Sequence, residues 1–257
     1  MFPIECYYTE NIINQNVIQF FSKGLNLKLN KVNDYKKNSN IFASYGILRG
    51  TGDIIKNLDS YIYLDHGFFN SSKRKFLAEG IASLKNLEGY FRVIKDDLYF
   101  NKTFNDKSDE RFNKLGISLK KKRSGDIIIV SEPSKNTEDF LRISNWTELT
   151  VNEIKKFTDR KVIVHNKLSN IPLSELLQKA FAFVSCQSTA GFYAITEGVP
   201  AYFTHASLSR FGNIQEIEKN QLNYDLLCIA ANSQWKLNEF FSDEFKIYMN
   251  KILNHTC

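Results

Sequence analysis

The sequence predicts an α/β protein made of two successive strand–helix regions, and three observations predict it. Residues 182–205 read as strand, turn, helix, strand. An apolar run over 182–186 is followed by a small polar turn over 187–191. About two helical turns then end at Gly198 and Pro200, and 201–204 reads as the next strand. The second observation is the same strand–loop–helix alternation at the start of the chain. The third is a polar, charged stretch over 102–124 that reads as a linker between the two regions.

In chain order, 2–8 reads as a first strand. Helical spacing follows over 10–21, with Ile13, Val17, Phe20 and Phe21 on one face. Residues 25–32 alternate as a half-buried strand does, and 34–39 is a polar loop. A strand over 41–48 runs into Arg49-Gly50-Thr51-Gly52 and a short helix over 53–58. The glycines permit a tight turn and close backbone approach to a ligand. Ile55 occupies the place of the third glycine of a dinucleotide-binding turn, and no acidic residue sits at the usual offset, which argues against a Rossmann dehydrogenase. A strand over 60–64 ends on Asp65-His66-Gly67, where a carboxylate and an imidazole become candidate acid–base groups. The alternative is that Asp65 caps a turn and His66 packs under the loop. Residues 70–88 form a polar, basic connection expected to hold a short helix, and 89–94 is a strand with 98–101 continuing the hairpin. Arg92 stands alone among apolar residues of that strand and needs an anionic partner, either a phosphate or Asp65.

The second region opens with a buried strand over 125–130 and the carboxyl-end loop Ser131-Glu132-Pro133-Ser134. Helices are expected near 137–143 and 150–157, and a strand over 161–164 ends on His165-Asn166-Lys167. Pro172 starts a helix with Leu173, Leu176, Leu177 and Ala180 on its apolar face. A helix beginning at Ser188 or Thr189 aims N–H groups and a positive dipole end above the sheet, where two hydroxyls and Gly191 allow approach by a phosphate. The competing reading is an ordinary serine-capped helix. Beyond a loop over 205–213, residues 221–235 and 237–253 read as two helices. Leu237, Phe241, Phe245, Tyr248 and Ile252 fall at helical spacing, a core stripe.

The 257 residues suffice for one large or two small domains, and 43 % hydrophobic residues, with 21 Phe and 12 Tyr, supply a sizeable core. A formal charge of +6 weakly favours polyanionic partners. The basic clusters Lys73-Arg74-Lys75 and Lys120-Lys121-Lys122-Arg123 either track phosphates or are solvated loops. Cys6, Cys186, Cys228 and Cys257 are far apart, which implies neither zinc nor a disulfide framework. With no signal-like start and no apolar stretch of membrane-spanning length, the expected location is cytoplasmic and no membrane partner is expected.

Several of these motifs together resemble a known family. The pattern runs from His165-Asn166-Lys167 through Pro172-Leu173 to Val184-Ser185-Cys186-Gln187-Ser188-Thr189-Ala190-Gly191 and Glu197-Gly198-Val199-Pro200. It resembles the donor half of GT-B glycosyltransferases, including capsule-polysaccharide transferases and small phage-encoded enzymes. The stretches 46–51, 63–69 and 90–93, with Ser233-Gln234-Trp235 and Leu237-Asn238-Glu239, resemble the phage group more closely. The resemblance implies a GT-B-like fold: two small Rossmann-like domains with a cleft between them and C-terminal helices packing back. Their expected spans are 1–120 for the acceptor side, 121–220 for the donor side and 221–257 for the returning helices. The chain departs from the family pattern at Tyr193, where a ribose-binding glutamate is common and Glu197 lies four residues later. It departs again at His165, where a basic residue is usual.

The implied reaction is transfer of a sugar from a nucleotide sugar, with a UDP-sugar as the expected donor. The implied acceptor is the hydroxymethyl group of a modified pyrimidine, 5-hydroxymethylcytosine foremost, in duplex phage DNA. The cytoplasm of an infected bacterial host would be its place. The sequence lacks the Asp-x-Asp of metal-dependent GT-A enzymes, so no metal is expected and helix N–H groups with cationic side chains must meet the leaving charge. Donor-side candidates are Ser131, His165, Lys167, Ser188, Thr189, Ala190 and Gly191. Asp65 is the candidate base, with His66 orienting it or acting itself. Arg49, Gly50, Thr51 and Arg92 are the acceptor-side candidates. A transferase acting on a surface glycan and a non-catalytic nucleotide- or DNA-binding module are the alternatives.

Overall fold

The computed structural model describes residues 2–71, 74–76, 82–84, 89–166 and 168–254. The protein is α/β, and its chain divides into two compact units. Unit 1 comprises Met1–Ser108 and Ile229–Cys257, and unit 2 comprises Asp109–Cys228.

Unit 1 begins with β1 (Ile4–Tyr8), α1 (Ile12–Leu25) and β2 (Lys28–Lys31), then β3 (Ile41–Tyr45), α2 (Thr51–Ile55) and β4 (Tyr61–His66). Strands β5 (Arg74–Phe76) and β6 (Ala82–Leu84) pair antiparallel within the 70–88 connection, and β7 (Tyr90–Lys95) returns beside β4. In unit 2, α3 (Glu110–Lys114) precedes β8 (Ile127–Ser131), α4 (Lys135–Leu141), α5 (Trp146–Ile154) and β9 (Lys161–His165). These are followed by α6 (Leu173–Leu176), β10 (Ala180–Ser185), α7 (Thr189–Thr196), β11 (Ala201–Phe203) and α8 (Ala206–Ser209). Helix α9 (Tyr224–Asn232) carries the chain back into unit 1, which ends with β12 (Gln234–Lys236) and α10 (Asp243–Asn254).

The sheet of unit 1 has the order β12-β7-β4-β3-β1-β2, and that of unit 2 the order β11-β10-β8-β9. In both, the first four strands are parallel and lie in the order second, first, third, fourth. Such a sheet has one point where successive crossovers leave in opposite directions, and ligands bind beyond the strand ends there.

The unit 1 core forms where α1 and α10 cover one sheet face. Ile13, Val17 and Phe21 of α1 meet Phe245, Met249 and Ile252 of α10 over Cys6, Ala43, Leu64 and Trp235. Full burial of each large apolar side chain contributes roughly 1.5–3 kcal/mol. The expected stripe on the last helix is buried at Leu237, Phe245, Tyr248 and Ile252, whereas Phe241 is exposed.

Three expectations along the chain are corrected. The helix expected over 221–235 stops at Asn232, and Gln234–Lys236 joins the sheet antiparallel to β7, pairing Gln234 with Arg92 and Trp235 with Phe91. The helix expected over 237–253 is a 3-10 turn, Asn238–Phe241, followed by α10. Ser242 separates them, its hydroxyl accepting the Phe245 amide at 3.1 Å. The expected linker contains α3, and its basic end is folded against α7: Lys120 N–H donates to the Thr196 carbonyl and Arg123 N–H to that of Gly198.

Candidate functional site

In unit 1, strand periodicity sends Tyr63 and Asp65 to one face of β4 and Leu64 and His66 to the other. Tyr63 hydroxyl donates to Asp65 Oδ2 at 2.7 Å, and the Arg92 guanidinium meets the same oxygen at 2.9 Å. The His66 amide donates to Oδ1 at 2.8 Å. Arg92, 4 % exposed, lies over the rings of Tyr99, Phe68 and Tyr63, with centroids 4.4, 5.4 and 5.6 Å away. Burial pushes the Asp65 carboxyl up, but Arg92, His66 and the Tyr63 hydroxyl outweigh it and hold it below the ordinary carboxylate value. Asp65 is thus a firmly ionised carboxylate. Of the two partners the sequence offered Arg92, the structure brings up Asp65.

His66 reaches Asp65 by hydrogen bond through its amide, while the charge of its ring also lowers the carboxyl. The imidazole packs on the opposite face, stacked 6.1 Å from Phe91 and edge-on 5.9 Å from Tyr45. Of the two roles expected for His66, orientation of Asp65 therefore falls to its backbone amide. The loop after β4 is pinned from far along the chain: the side-chain Oε1 of buried Gln234 accepts the amides of Phe68 and Phe69 at 2.8 and 2.9 Å.

The crossovers of unit 1 diverge between β1 and β3. Asn14 of α1 fills this point, accepting the Thr9 amide at 2.8 Å and donating to the Tyr45 carbonyl at 2.6 Å. The loop after β3 is likewise self-contained. Thr51 is buried and its hydroxyl is shared between the Gly46 and Leu48 carbonyls, 2.9 and 2.8 Å away, so it serves the loop rather than a ligand. Gly50, at φ 87°, is the residue before α2. Arg49, at φ 61°, is exposed and lines a cavity of about 190 Å³ with Tyr8, Glu10 and Lys31. Arg92 is not part of this cavity.

In unit 2 the crossovers diverge between β8 and β10, whose carboxyl ends pair Ser131 with Ser185. Here the chain turns into α7. Ser188 has extended backbone and its hydroxyl accepts the Ala190 amide at 3.2 Å, while Ser185 Oγ accepts the Ser188 amide, also at 3.2 Å. The Gly191 amide donates to the Ser188 carbonyl. Three of the four amides expected to meet a phosphate, those of Ser188, Ala190 and Gly191, are thus bonded within the turn, and only that of Thr189 heads the helix outside it. Gly191 also has a different reason from the one expected. A Cβ there would sit 2.5 Å from Phe203 Cζ, so the glycine seats α7 on β11 rather than admitting a ligand.

His165 ends β9 in register with Ser131. Its Nε2 lies 3.2 Å from the Ile171 carbonyl, and a carbonyl only accepts, so this nitrogen carries a proton. Lys167 lies outside the described residues, as does Lys73. Tyr193 projects outward, 42 % exposed. Glu197 is committed elsewhere: its carboxylate holds Lys120 at 2.6 Å and Arg123 at 3.6 Å. A further cavity of about 690 Å³ in unit 2 is lined in part by Trp146, Leu149, Cys186, Thr204 and His205. Burial pushes the Cys186 thiol up to about 11, which keeps it protonated and unreactive near neutrality.

Comparison of the chain with known protein families and with curated proteins returns no match. Among the described residues, no group of His, Cys, Asp and Glu is arranged to hold a metal ion. Among them, too, no helix is long and apolar enough to cross a membrane.

Sequence reasoning missed Tyr63, Asn14 and Trp146. Tyr63 was within reach of it, since a residue two before Asp65 on one strand shares its face. Asn14 and Trp146 carry no local signal, because their partners at Tyr45 and Thr204 are distant in sequence.

Proposed function

We propose that the protein is a glycosyltransferase that moves a sugar from a nucleotide sugar to the hydroxymethyl group of a modified pyrimidine in DNA. The observation that carries the transfer reading is the strand-order reversal of unit 2, with Ser131 and Ser185 side by side and the Ser188-capped helix rising from it. A diphosphate placed there meets the positive end of an eight-residue helix and the half-buried residues Ser131, Ser188 and Thr189 with their hydroxyls. The acceptor hydroxyl oxygen attacks the anomeric carbon, the bond to the diphosphate breaks, and the nucleotide leaves with the bonding pair. The released proton needs a base, and Asp65 is proposed for that role on its own geometry within unit 1. Tyr63, Arg92 and the His66 amide keep that carboxylate ionised and oriented. The DNA acceptor rests on the resemblance of 46–51, 63–69 and 90–93 to phage enzymes.

A glycan acceptor is the second reading. Two of the four cations in the 120–123 cluster are held by Glu197, which lowers the charge available for a DNA backbone. One experiment separates the readings. The full chain is incubated with hydroxymethylated duplex and a panel of nucleotide sugars, and the digested nucleosides are weighed. Added sugar mass on the modified base, lost in Asp65→Ala, is the expected result. Donor consumption without sugar on DNA favours the glycan reading, and no donor consumption with any acceptor overturns transfer.

A further inference from the structure

We propose that the cavity beyond the carboxyl ends of β1 and β2 binds one phosphate ester on a hydroxylated carbon frame, that is, a single sugar-phosphate unit. The cavity holds about 190 Å³ and lies beside the reversal point of the unit 1 sheet, which Asn14 itself plugs. Tyr8, Thr9 and Glu10 follow from β1, Lys31 and Asn33 from β2, and Arg49 comes from the loop after β3.

Three features select the ligand. Lys31 and Arg49 bring two positive charges to one small space, and neither side chain is spent on an ion pair with a described residue. The guanidinium fork and the ammonium suit a phosphate. Glu10 in the same lining repels a bare anion, so the ligand must also offer hydroxyl donors, which the carboxylate and Asn33 can accept. The volume suits one sugar phosphate. Arg49 also holds a left-handed backbone. Among described residues with positive φ the others are Asn, Asp and glycine, except Arg142, which caps α4. A bulky residue kept in that conformation at a cavity wall is a mark of positioning.

The proposal rests on the transfer reading only for the role of the bound unit as part of the acceptor. Binding is measured without donor, so the two can fail separately. The full chain is titrated with ribose 5-phosphate, inorganic phosphate and ribose, followed by NMR. Saturable binding in the order sugar phosphate, phosphate, ribose is expected. Arg49→Gly removes the charge while suiting the left-handed backbone. It should weaken sugar-phosphate binding roughly tenfold or more, with the melting temperature unchanged or raised. Lys31→Gln should weaken it similarly, and Glu10→Gln should strengthen inorganic phosphate relative to the sugar phosphate. A short DNA single strand that competes in an Arg49-dependent way supports the site and assigns the unit to a nucleic acid. A strand that does not compete supports it with a small ester as the source. Absence of saturable binding, or wild-type affinity in both Arg49→Gly and Lys31→Gln, overturns the proposal.

Discussion

At Gly191 an added methyl group would have to displace the ring of Phe203, which stands 2.5 Å from where the carbon would go. Gly191→Ala should therefore lower stability by about 1–3 kcal/mol, read as a shift in the urea midpoint, while the proposed nucleotide affinity per folded molecule stays unchanged. A large loss of nucleotide affinity at unchanged stability would restore the ligand-approach role that the sequence suggested. Asp65→Asn keeps the shape of the side chain but strands the Arg92 charge among Tyr63, Phe68 and Tyr99. We expect a loss of about 3 kcal/mol at neutral pH. The sign with pH follows from the lowered folded value of Asp65. Its contribution is complete above the ordinary carboxylate range and is lost as pH falls through the folded value, so the wild type weakens below about pH 4. Stability curves of wild type and Asp65→Asn should converge on acidification, and parallel curves would refute the ion pair's contribution.

Helix α7 shows what an element does with its two ends. Its start is closed by Ser188, and Ser188→Ala should cost about 1 kcal/mol of unit 2 stability as well as weakening the proposed nucleotide binding. Its end is closed by Gly198, at φ 83°, whose missing side chain leaves room for the Lys121 carbonyl. Beside it Glu197 draws in Lys120 and Arg123. Glu197→Gln should release 120–123, seen as faster tryptic cleavage there with the sheet still folded. Cleavage at the wild-type rate would show that the backbone bonds to Thr196 and Gly198 suffice. The same helix marks how far the sequence could be read. Its cap, its glycine stop and the strands either side were legible, because each depends on neighbours in the chain. The packing of 120–123 was not, since lysines in a row look alike whether solvated or folded against a distant glutamate. Strand β12 was hidden for another reason: three residues are too few to display a period of two.

Taken whole, the molecule has one continuous unit and one assembled from both ends of the described chain. The sequence placed the changes of domain at 120 and 220, whereas contacts divide the chain after Ser108 and Cys228. The earlier boundary follows from packing: Phe112 meets Tyr224 at 5.5 Å, and the 120–123 stretch is bound to α7. A fragment of residues 109–228 should fold alone, with a cooperative thermal transition by circular dichroism. Residues 1–108 alone should not, because Trp235, Phe245, Met249 and Ile252 of that core are absent. A cooperative transition in the 1–108 fragment would disprove this division of labour.

A ribosome makes the chain in one direction, and Gln234 comes 166 residues after Phe68, whose amide it accepts. The loop beside Asp65 thus waits, during synthesis, through the making of all of unit 2 before its fastener exists. The second unit has time to fold first, and the first is completed only when the three-residue strand β12 and then α10 have followed it. A pause or truncation ahead of that strand leaves a nascent protein whose later half is sound and whose earlier half is still open.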